Sequence, residues 1–209
     1  ALLAQEGWSV SRKQVQRIRR TEGLKVRPKP QRLPRQGNST GLPTHATHRN
    51  HVWTWDFIFD RTDKGSTLKM LTMLDEYTRQ CVAIRVERQI RSEQVLATLW
   101  QAMTIYGIPQ HIRSDNGSEF IAQKIQHWLR ENQIKTLYID PGSPWQNGYI
   151  ESFHSRFRDE CLNREWLLNL REARVVIEDW RKHYNTERPH SQLGYLSPEG
   201  FINNQKVST

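Results

Sequence analysis

Between His51 and Asp60 the chain reads His-Val-Trp-Thr-Trp-Asp-Phe-Ile-Phe-Asp, an aromatic and β-branched run whose alternation predicts a strand. Two further runs, 67–75 and 80–87, have the same character. The links between them, Arg61–Ser66 and Glu76–Arg79, are short and polar, so an antiparallel three-stranded meander is expected. The period then lengthens. Ser92 stands where a cap is wanted, and Val95, Leu99 and Met103 recur every four residues up to about Tyr106, which predicts a helix ended by Gly107 and Pro109. A short strand at 111–114 leads into the turn Asp115-Asn116-Gly117. Beyond it a helix over about 118–132 and a strand at 135–139 are expected.

The loop Asp140–Ser143 opens a long helix in which Ser143 would be the N-cap and Pro144 the first residue, where a missing N–H costs nothing. Tyr149, Phe153, Phe157 and Cys161 give it an apolar ladder, with Glu151, His154, Ser155 and Arg158 off that ladder. A last helix over about 171–186 puts Ala173, Ile177, Trp180 and Tyr184 on one face. Three strands followed by alternating helices and short strands predict a mixed α/β sheet with helices packed on it.

The first fifty residues differ in kind. They hold eleven Lys and Arg against only Glu6 and Glu22, so they carry the whole formal charge of +9, while the rest is neutral. Within them, 1–26 reads as two helical pieces around a turn. Gly7 breaks the first piece, Ser11 with Gln14 has the capping-box spacing, and Gly23 stops the second. Arg12, Lys13, Arg17, Arg19 and Arg20 make that second helix basic, suited to a polyanion and to the major groove of DNA; a solvated basic tail is the plainer alternative. Residues 27–50 hold Pro28, Pro30, Pro34 and Pro43 among small polar residues and read as a linker. His45, His48 and His51 cluster at its end without cysteine partners at finger-like spacing, which argues against a zinc site. Cys81 and Cys161 stand far apart, as in a reducing compartment. No run approaches the ~18 uncharged apolar residues of a membrane helix, and mean hydropathy is −0.80. The chain starts at Ala1 and reads as a fragment of a longer protein.

Three acids interrupt this pattern. Asp56 sits inside an apolar strand, on the face of Thr54 and Ile58 and opposite Trp55 and Phe57, where a carboxylate needs a cation or dense hydrogen bonding. A structural ion pair and metal ligation answer that need equally. Asp115 follows a short strand directly, at the kind of strand end where ligands collect in open α/β sheets, though an Asx-turn with Asn116 and Gly117 explains it too. Glu151 lies early on the long helix, where a lone glutamate is ordinarily just solvated. Thirty-five residues separate Asp115 from Glu151. Asp60 is expected to be solvated, Glu119 to be a helix N-terminal charge, and Asp75 with Glu76 to end a strand in a turn.

The order and spacing of Asp56, Asp115 and Glu151 resemble the acidic triad of the retroviral integrase superfamily. The segments Arg-Ser-Asp-Asn-Gly-Ser-Glu-Phe at 113–120, Gly-Ser-Pro-Trp-Gln-Asn-Gly-Tyr-Ile-Glu-Ser-Phe-His-Ser-Arg-Phe at 142–157 and Tyr-Asn-Thr-Glu-Arg-Pro-His-Ser-Gln-Leu-Gly-Tyr-Leu-Ser-Pro at 184–198 are similar to those of IS3-family insertion-sequence transposases. The resemblance covers 51–201, leaving 202–209 as a tail, and the basic segment resembles that family's helix-turn-helix region. It implies an RNase H-like five-stranded fold and a DNA strand-transfer enzyme. Two Mg²⁺ ions, replaceable by Mn²⁺, would be held by Asp56, Asp115 and Glu151, with Asp56 bridging both. Hard cations take carboxylate oxygens, and in-line phosphoryl chemistry needs both an activated nucleophile and a stabilised leaving oxygen. His154 and Arg158 are then expected on phosphate or DNA, with Asn116 and Asn147 orienting the loop ends. Arg158 stands where relatives often carry Lys, which keeps the charge but changes the geometry. Implied partners are insertion-sequence ends, target DNA and further copies of the chain on DNA, in a bacterial cytoplasm at the nucleoid and not at a membrane. An inactive DNA-binding remnant and a simple nuclease are the competing readings. Arg188-Pro189-His190 is expected to pack or to stop a helix, with DNA contact the alternative.

Overall fold

The computed structural model describes residues 2–24, 45–114, 123–139 and 147–207. The chain divides into two compact units, Ala1–Pro43 and Thr44–Thr209.

The first unit contains α1 (Leu2–Gln5) and α2 (Arg12–Thr21). The capping box read from the sequence forms on α2: Gln14 N–H donates to Ser11 Oγ at 3.2 Å, and Ser11 N–H donates to Gln14 Oε1 at 3.2 Å. These bonds satisfy two N-terminal amides that the helix itself cannot. Arg12, Lys13, Arg17, Arg19 and Arg20 are all exposed on α2.

The second unit is built on five strands: β1 (Val52–Arg61), β2 (Thr67–Asp75), β3 (Cys81–Glu87), β4 (His111–Ser114) and β5 (Lys135–Tyr138). Their order is β3-β2-β1-β4-β5. The first three form the expected antiparallel meander, while β4 runs parallel to β1 and β5 parallel to β4. The helices are α3 (Ser92–Tyr106), α4 (Gln123–Glu131), α5 (Gly148–Phe157), α6 (Leu170–Thr186) and α7 (Pro198–Val207), making seven α-helices among the described residues with the two of the first unit. This is the mixed five-stranded, helix-flanked sheet that the pattern predicts.

Alternation along β1 sorts the core into two layers. Trp53 and Trp55 face Val95, Leu99, Ala102 and Met103 of α3 and Ile125 and Leu129 of α4. Ile58 faces the other way, with Met70 and Leu74, against Phe153 and Phe157 of α5 and Ala173, Ile177, Trp180 and Tyr184 of α6. In that second layer Phe153, Phe157, Trp180 and Tyr184 form an aromatic group, its closest rings 4.7 Å apart. A sheet buried on both faces must be apolar on both, which is why a polar residue within β1 calls for a reason.

Several boundaries differ from the sequence expectation. Arg91 occupies the N-cap position of α3, its N–H bonded to Gln94 Oε1 at 2.9 Å, and Ser92 is the first helical residue. The Gln94 side chain serves the N-cap amide of Arg91, a different amide from the one a capping Ser92 would serve. Asn147 is the N-cap of α5; Ser143 and Pro144 lie outside the described residues, as does the 118–122 portion of the helix expected over 118–132. Directly after α5 the backbone widens into a π-turn, Arg158–Leu162, in which Asn163 N–H reaches back to Arg158 O at 2.9 Å. At the end of α3, Gly107 has φ 99°, and a Cβ there would stand 2.6 Å from Asn50 Nδ2, so glycine is required.

Asp75 and Glu76 do end β2 in a turn, but both are 1% exposed. The Asp75 carboxylate accepts backbone N–H bonds from Asn50, Tyr77 and Thr78 at 2.7, 2.9 and 2.8 Å. Glu76 pairs with Arg113 of β4 at 2.7 Å, with neither side chain more than 5% exposed. The Arg188-Pro189-His190 segment acquires a physical account. Arg188 makes two short bonds to Glu160, at 2.6 and 2.7 Å, and the His190 ring stands edge-on to Tyr184 at 4.8 Å. These contacts tie the segment after α6 to the π-turn, in line with a packing role.

Candidate active site

Asp56 lies mid-way along β1, half-buried, on the face covered by α5. Its cross-strand partner is Thr72 of β2. The Thr72 hydroxyl donates its single proton to Asp56 O at 3.0 Å and meets His154 Nε2 at 2.7 Å. The other ring nitrogen, Nδ1, lies 3.8 Å from Asp56 Oδ2. Burial, with the positive charge of Arg158 nearby, holds His154 down at about 4. The ring is therefore neutral at pH 7, and its approach to Asp56 is a polar contact rather than an ion pair.

Three contacts align α5 beside β1. Asn147 Oδ1 accepts from Thr54 Oγ1 at 3.2 Å, His154 stands by Asp56, and Arg158 Nη2 donates to Phe59 O at 3.0 Å. From 147 to 158 a helix rises about 16 Å, and from 54 to 59 a strand rises about the same. The helix thus runs alongside the strand in the same direction, matched in length. Glu151 falls between Asn147 and His154, at the level of the Thr54–Asp56 stretch of β1, and is half-buried like Asp56. A strand and a helix with different rises per residue bring these two carboxylates to one face of the sheet.

The remaining expectations distribute as follows. Asp115, Asn116 and Glu119 lie outside the described residues; Asp115 follows Ser114, the last residue of β4, which neighbours β1. Asn147 is buried and bonded to Thr54, as a residue that sets a loop end would be. Arg158 is exposed at the C-terminal end of β1. His154 lies at the edge of the aromatic layer, its ring centroid 6.1 Å from Phe153, with its ring engaged by Thr72 and Asp56. Sequence reasoning had no notice of Thr72, whose only signal is its register opposite Asp56. Among His45, His48 and His51, the rings of His48 and His51 stack at 4.8 Å, and His111 meets His51 edge-on at 5.2 Å. Burial first, then the neighbouring His48 and His111, hold His51 below the ordinary histidine range.

Asp56 and Glu151 suit a divalent ion by donor chemistry. Both offer carboxylate oxygens, the ligands hard cations take. Among the described residues no group of three or more His, Cys, Asp and Glu side chains gathers to hold a metal, so the pair needs a third acid, and Asp115 is adjacent in sequence to β4.

Comparison with known proteins gives a consistent result. The integrase core domain family matches residues 46–144 and 132–198. A 39.2 kDa protein of insertion element IS476 from Xanthomonas euvesicatoria is 40% identical over 206 residues, covering 99% of this chain and 59% of its own. A 31.7 kDa protein of insertion element IS407 from Burkholderia multivorans is 39% identical, covering 96% of this chain and 72% of its own. The transposase InsF of IS3 elements in Escherichia coli is 24% identical, covering 96% of this chain and 74% of its own. Among solved structures, a chain of the simian T-cell lymphotropic virus intasome in complex with PP2A regulatory subunit B56 gamma superposes with TM-score 0.62 at 16% identity, over 79% of this chain and 59% of that one. The HTLV-2 integrase catalytic core in complex with magnesium superposes with TM-score 0.52 at 18% identity, over 73% of this chain and 95% of that one.

Proposed function

This chain belongs to the integrase core domain family, as a transposase of the IS3 insertion-sequence family, and on that premise we propose that it cuts DNA at the ends of a mobile element and joins the freed 3′-hydroxyls to target DNA. In the first step water displaces a 3′-oxygen from phosphorus; in the second that 3′-hydroxyl displaces the 3′-oxygen of a target phosphodiester, so one phosphodiester bond forms as another breaks.

Asp56, Asp115 and Glu151 are assigned as the acids that hold two Mg²⁺ ions, with Mn²⁺ able to replace them. Bound there, divalent cations lower the pKa of the attacking oxygen and offset charge on the leaving oxygen. The side chains themselves serve as fixed anionic ligands, and none becomes covalently attached to DNA. Arg158, exposed beyond α5, is assigned to phosphate contact, and His154 to the same neighbourhood. The basic face of α2, with Arg12, Lys13, Arg17, Arg19 and Arg20, is assigned to the element ends, with further copies of the chain completing the assembly on DNA. The protein is assigned to the bacterial cytoplasm, at the nucleoid. Among the described residues no helix is long and apolar enough to cross a membrane.

The observation that carries this reading is the matched docking of α5 along β1, which brings Glu151 level with an acid set inside an apolar strand. The test is joining of an oligonucleotide bearing the element's terminal repeat to a target duplex in Mg²⁺ or Mn²⁺. Asp56→Asn and Glu151→Gln are expected each to lower the rate about 10³-fold, some 4 kcal/mol of barrier, with thermal stability retained. Joining that survives Glu151→Gln refutes the assignment, and cleavage without joining makes the protein a nuclease.

A further inference from the structure

Two polar side chains not assigned as metal ligands, Thr72 and His154, link the elements bearing Asp56 and Glu151. We infer that Thr72 and His154 are positioning residues: a hydrogen-bonded strut that sets the orientation of Glu151 relative to Asp56 and thereby the affinity of the site for its divalent ions. The inference rests on the reading of these two acids as metal ligands.

The strut is continuous. Asp56 and Thr72 are directly paired across β1 and β2, and the Thr72 hydroxyl is bonded to the backbone carbonyl of Asp56 itself at 3.0 Å. The same oxygen meets His154 Nε2 at 2.7 Å. His154 is one turn beyond Glu151, and residues three apart on a helix are surface neighbours. Fixing the His154 ring therefore fixes the rotation of α5 about its axis, and with it the direction of Glu151.

Other contacts cannot do this work. Phe153 and Phe157 hold α5 to the sheet by apolar packing, which resists separation but is weakly directional. The Asn147–Thr54 and Arg158–Phe59 bonds lie at the two ends of the helix. The Thr72–His154 bond stands beside Asp56 itself, and Met70 and Leu74, which flank Thr72 on the same face, are buried and apolar. Thr72 itself is 0% exposed. The hydroxyl and imidazole satisfy one another here, and a hydrogen bond fixes direction where apolar packing does not. Groups that orient metal ligands from behind typically change metal affinity 10- to 100-fold when removed.

The test uses the full chain with Mn²⁺ alone, its binding read by electron paramagnetic resonance, alongside melting temperature, DNA binding and the metal dependence of strand joining. Thr72→Val keeps the shape and suits a strand; it is expected to weaken Mn²⁺ binding about 10-fold and to shift the metal dependence of joining equally. For Thr72→Val, DNA affinity is expected to be unchanged, because Thr72 is not assigned to DNA. Thr72→Ser restores the hydroxyl and is expected to recover most of the affinity. Should Thr72→Val fail to fold, His154→Leu breaks the same bond from the helix side. Unchanged Mn²⁺ affinity in the folded variant, or a serine variant that behaves like valine, overturns the inference. Asp56→Asn separates the two readings. If it abolishes Mn²⁺ binding while Thr72→Val leaves it intact, the strut fails and the site stands; if Asp56→Asn leaves Mn²⁺ binding intact, the site itself fails.

Discussion

Replacing Arg113 by methionine tests how this domain tolerates an ion pair in its core. Arg113 Nε lies 2.7 Å from Glu76 Oε1, its Nη2 3.5 Å from Oε2, and the Glu76 side chain is fully buried. Burial pushes Glu76 above the usual carboxylate range, against the opposing hydrogen bond and charge of Arg113. With the guanidinium gone, the carboxylate has two routes. Remaining charged costs about 3–5 kcal/mol, the usual result of orphaning one member of a buried pair. Taking up a proton costs about 3.7 kcal/mol at pH 7 for a group that ionises near 4.3 in the unfolded chain, but only about 1 kcal/mol at pH 5. The cheaper route governs, so the deficit at pH 7 is expected near 3.7 kcal/mol. At about 2–4 °C per kcal/mol for a domain of this size, that is a fall in Tm of roughly 7–15 °C.

The pH dependence is the sharper reading. The variant raises the folded-state pKa of an acid, so its stability relative to the parent is retained at pH values near or below 4.3 and lost as the pH rises through the folded value. Thermal melts of parent and Arg113→Met between pH 5 and 8 should therefore diverge as the pH rises. A double variant, Arg113→Met with Glu76→Met, should recover most of the loss at every pH because no charge remains to be buried. A single-variant deficit below about 1 kcal/mol at pH 7, or one flat between pH 5 and 8, refutes the reasoning.

The remaining predictions concern the elements that brace the site. His190 is held down at about 4, mainly by burial, and its Nε2 is buried with no hydrogen-bond partner among the described residues. A lowered folded-state pKa makes its contribution present above about 6.5 and lost as the pH falls toward 4, so His190→Phe should remove on the order of 2–3 kcal/mol of the acid-side decline; identical declines in denaturant titrations at pH 6.5 and 4 would refute this. Asn185 accepts from Cys81 N at 2.8 Å and donates to Cys81 O at 2.9 Å, on the outermost strand of the sheet. Since Arg181 also reaches Cys81 O, Asn185→Ala orphans chiefly the amide. A cost of about 1–3 kcal/mol is expected, with faster hydrogen exchange at Cys81; unchanged exchange would count against it.

What the sequence made legible was whatever repeats with a period. The alternation around Asp56 placed Thr54 and Ile58 on one face and Trp55 on the other, and the two core layers follow that division. The four-residue ladders of α3 and α6 fell where they were expected because burial enforces them. Contacts between distant residues left no such mark. Glu76 has the appearance of an ordinary turn residue until Arg113, thirty-seven residues later, is seen beside it. His154 lies off the apolar ladder of α5, and its ring bonds to a threonine that only strand register brings opposite Asp56. The cap of α3 shows a subtler gap: Ser92 has the composition of a cap, but the Gln94 side chain reaches back to Arg91 and moves the start by one. Asp56 and Glu151 could be named from spacing and flanking motifs, whereas their alignment depends on α5 and β1 spanning equal lengths.

The widened turn at Arg158–Leu162 works as a joint between two parts of the domain. Upstream of it stands the helix that carries Glu151; within its second half come Glu160 against Arg188 and Cys161 and Leu162 in the core. Losing one residue there would swing everything that follows by about 100° around the helix axis. Cys161 and Leu162 would turn out of the core and the Glu160–Arg188 clasp would open, while Glu151 kept its place. Length changes at this point would therefore unseat the outer helical layer first, giving a molecule that keeps α5 seated along β1 and loses the packing behind it.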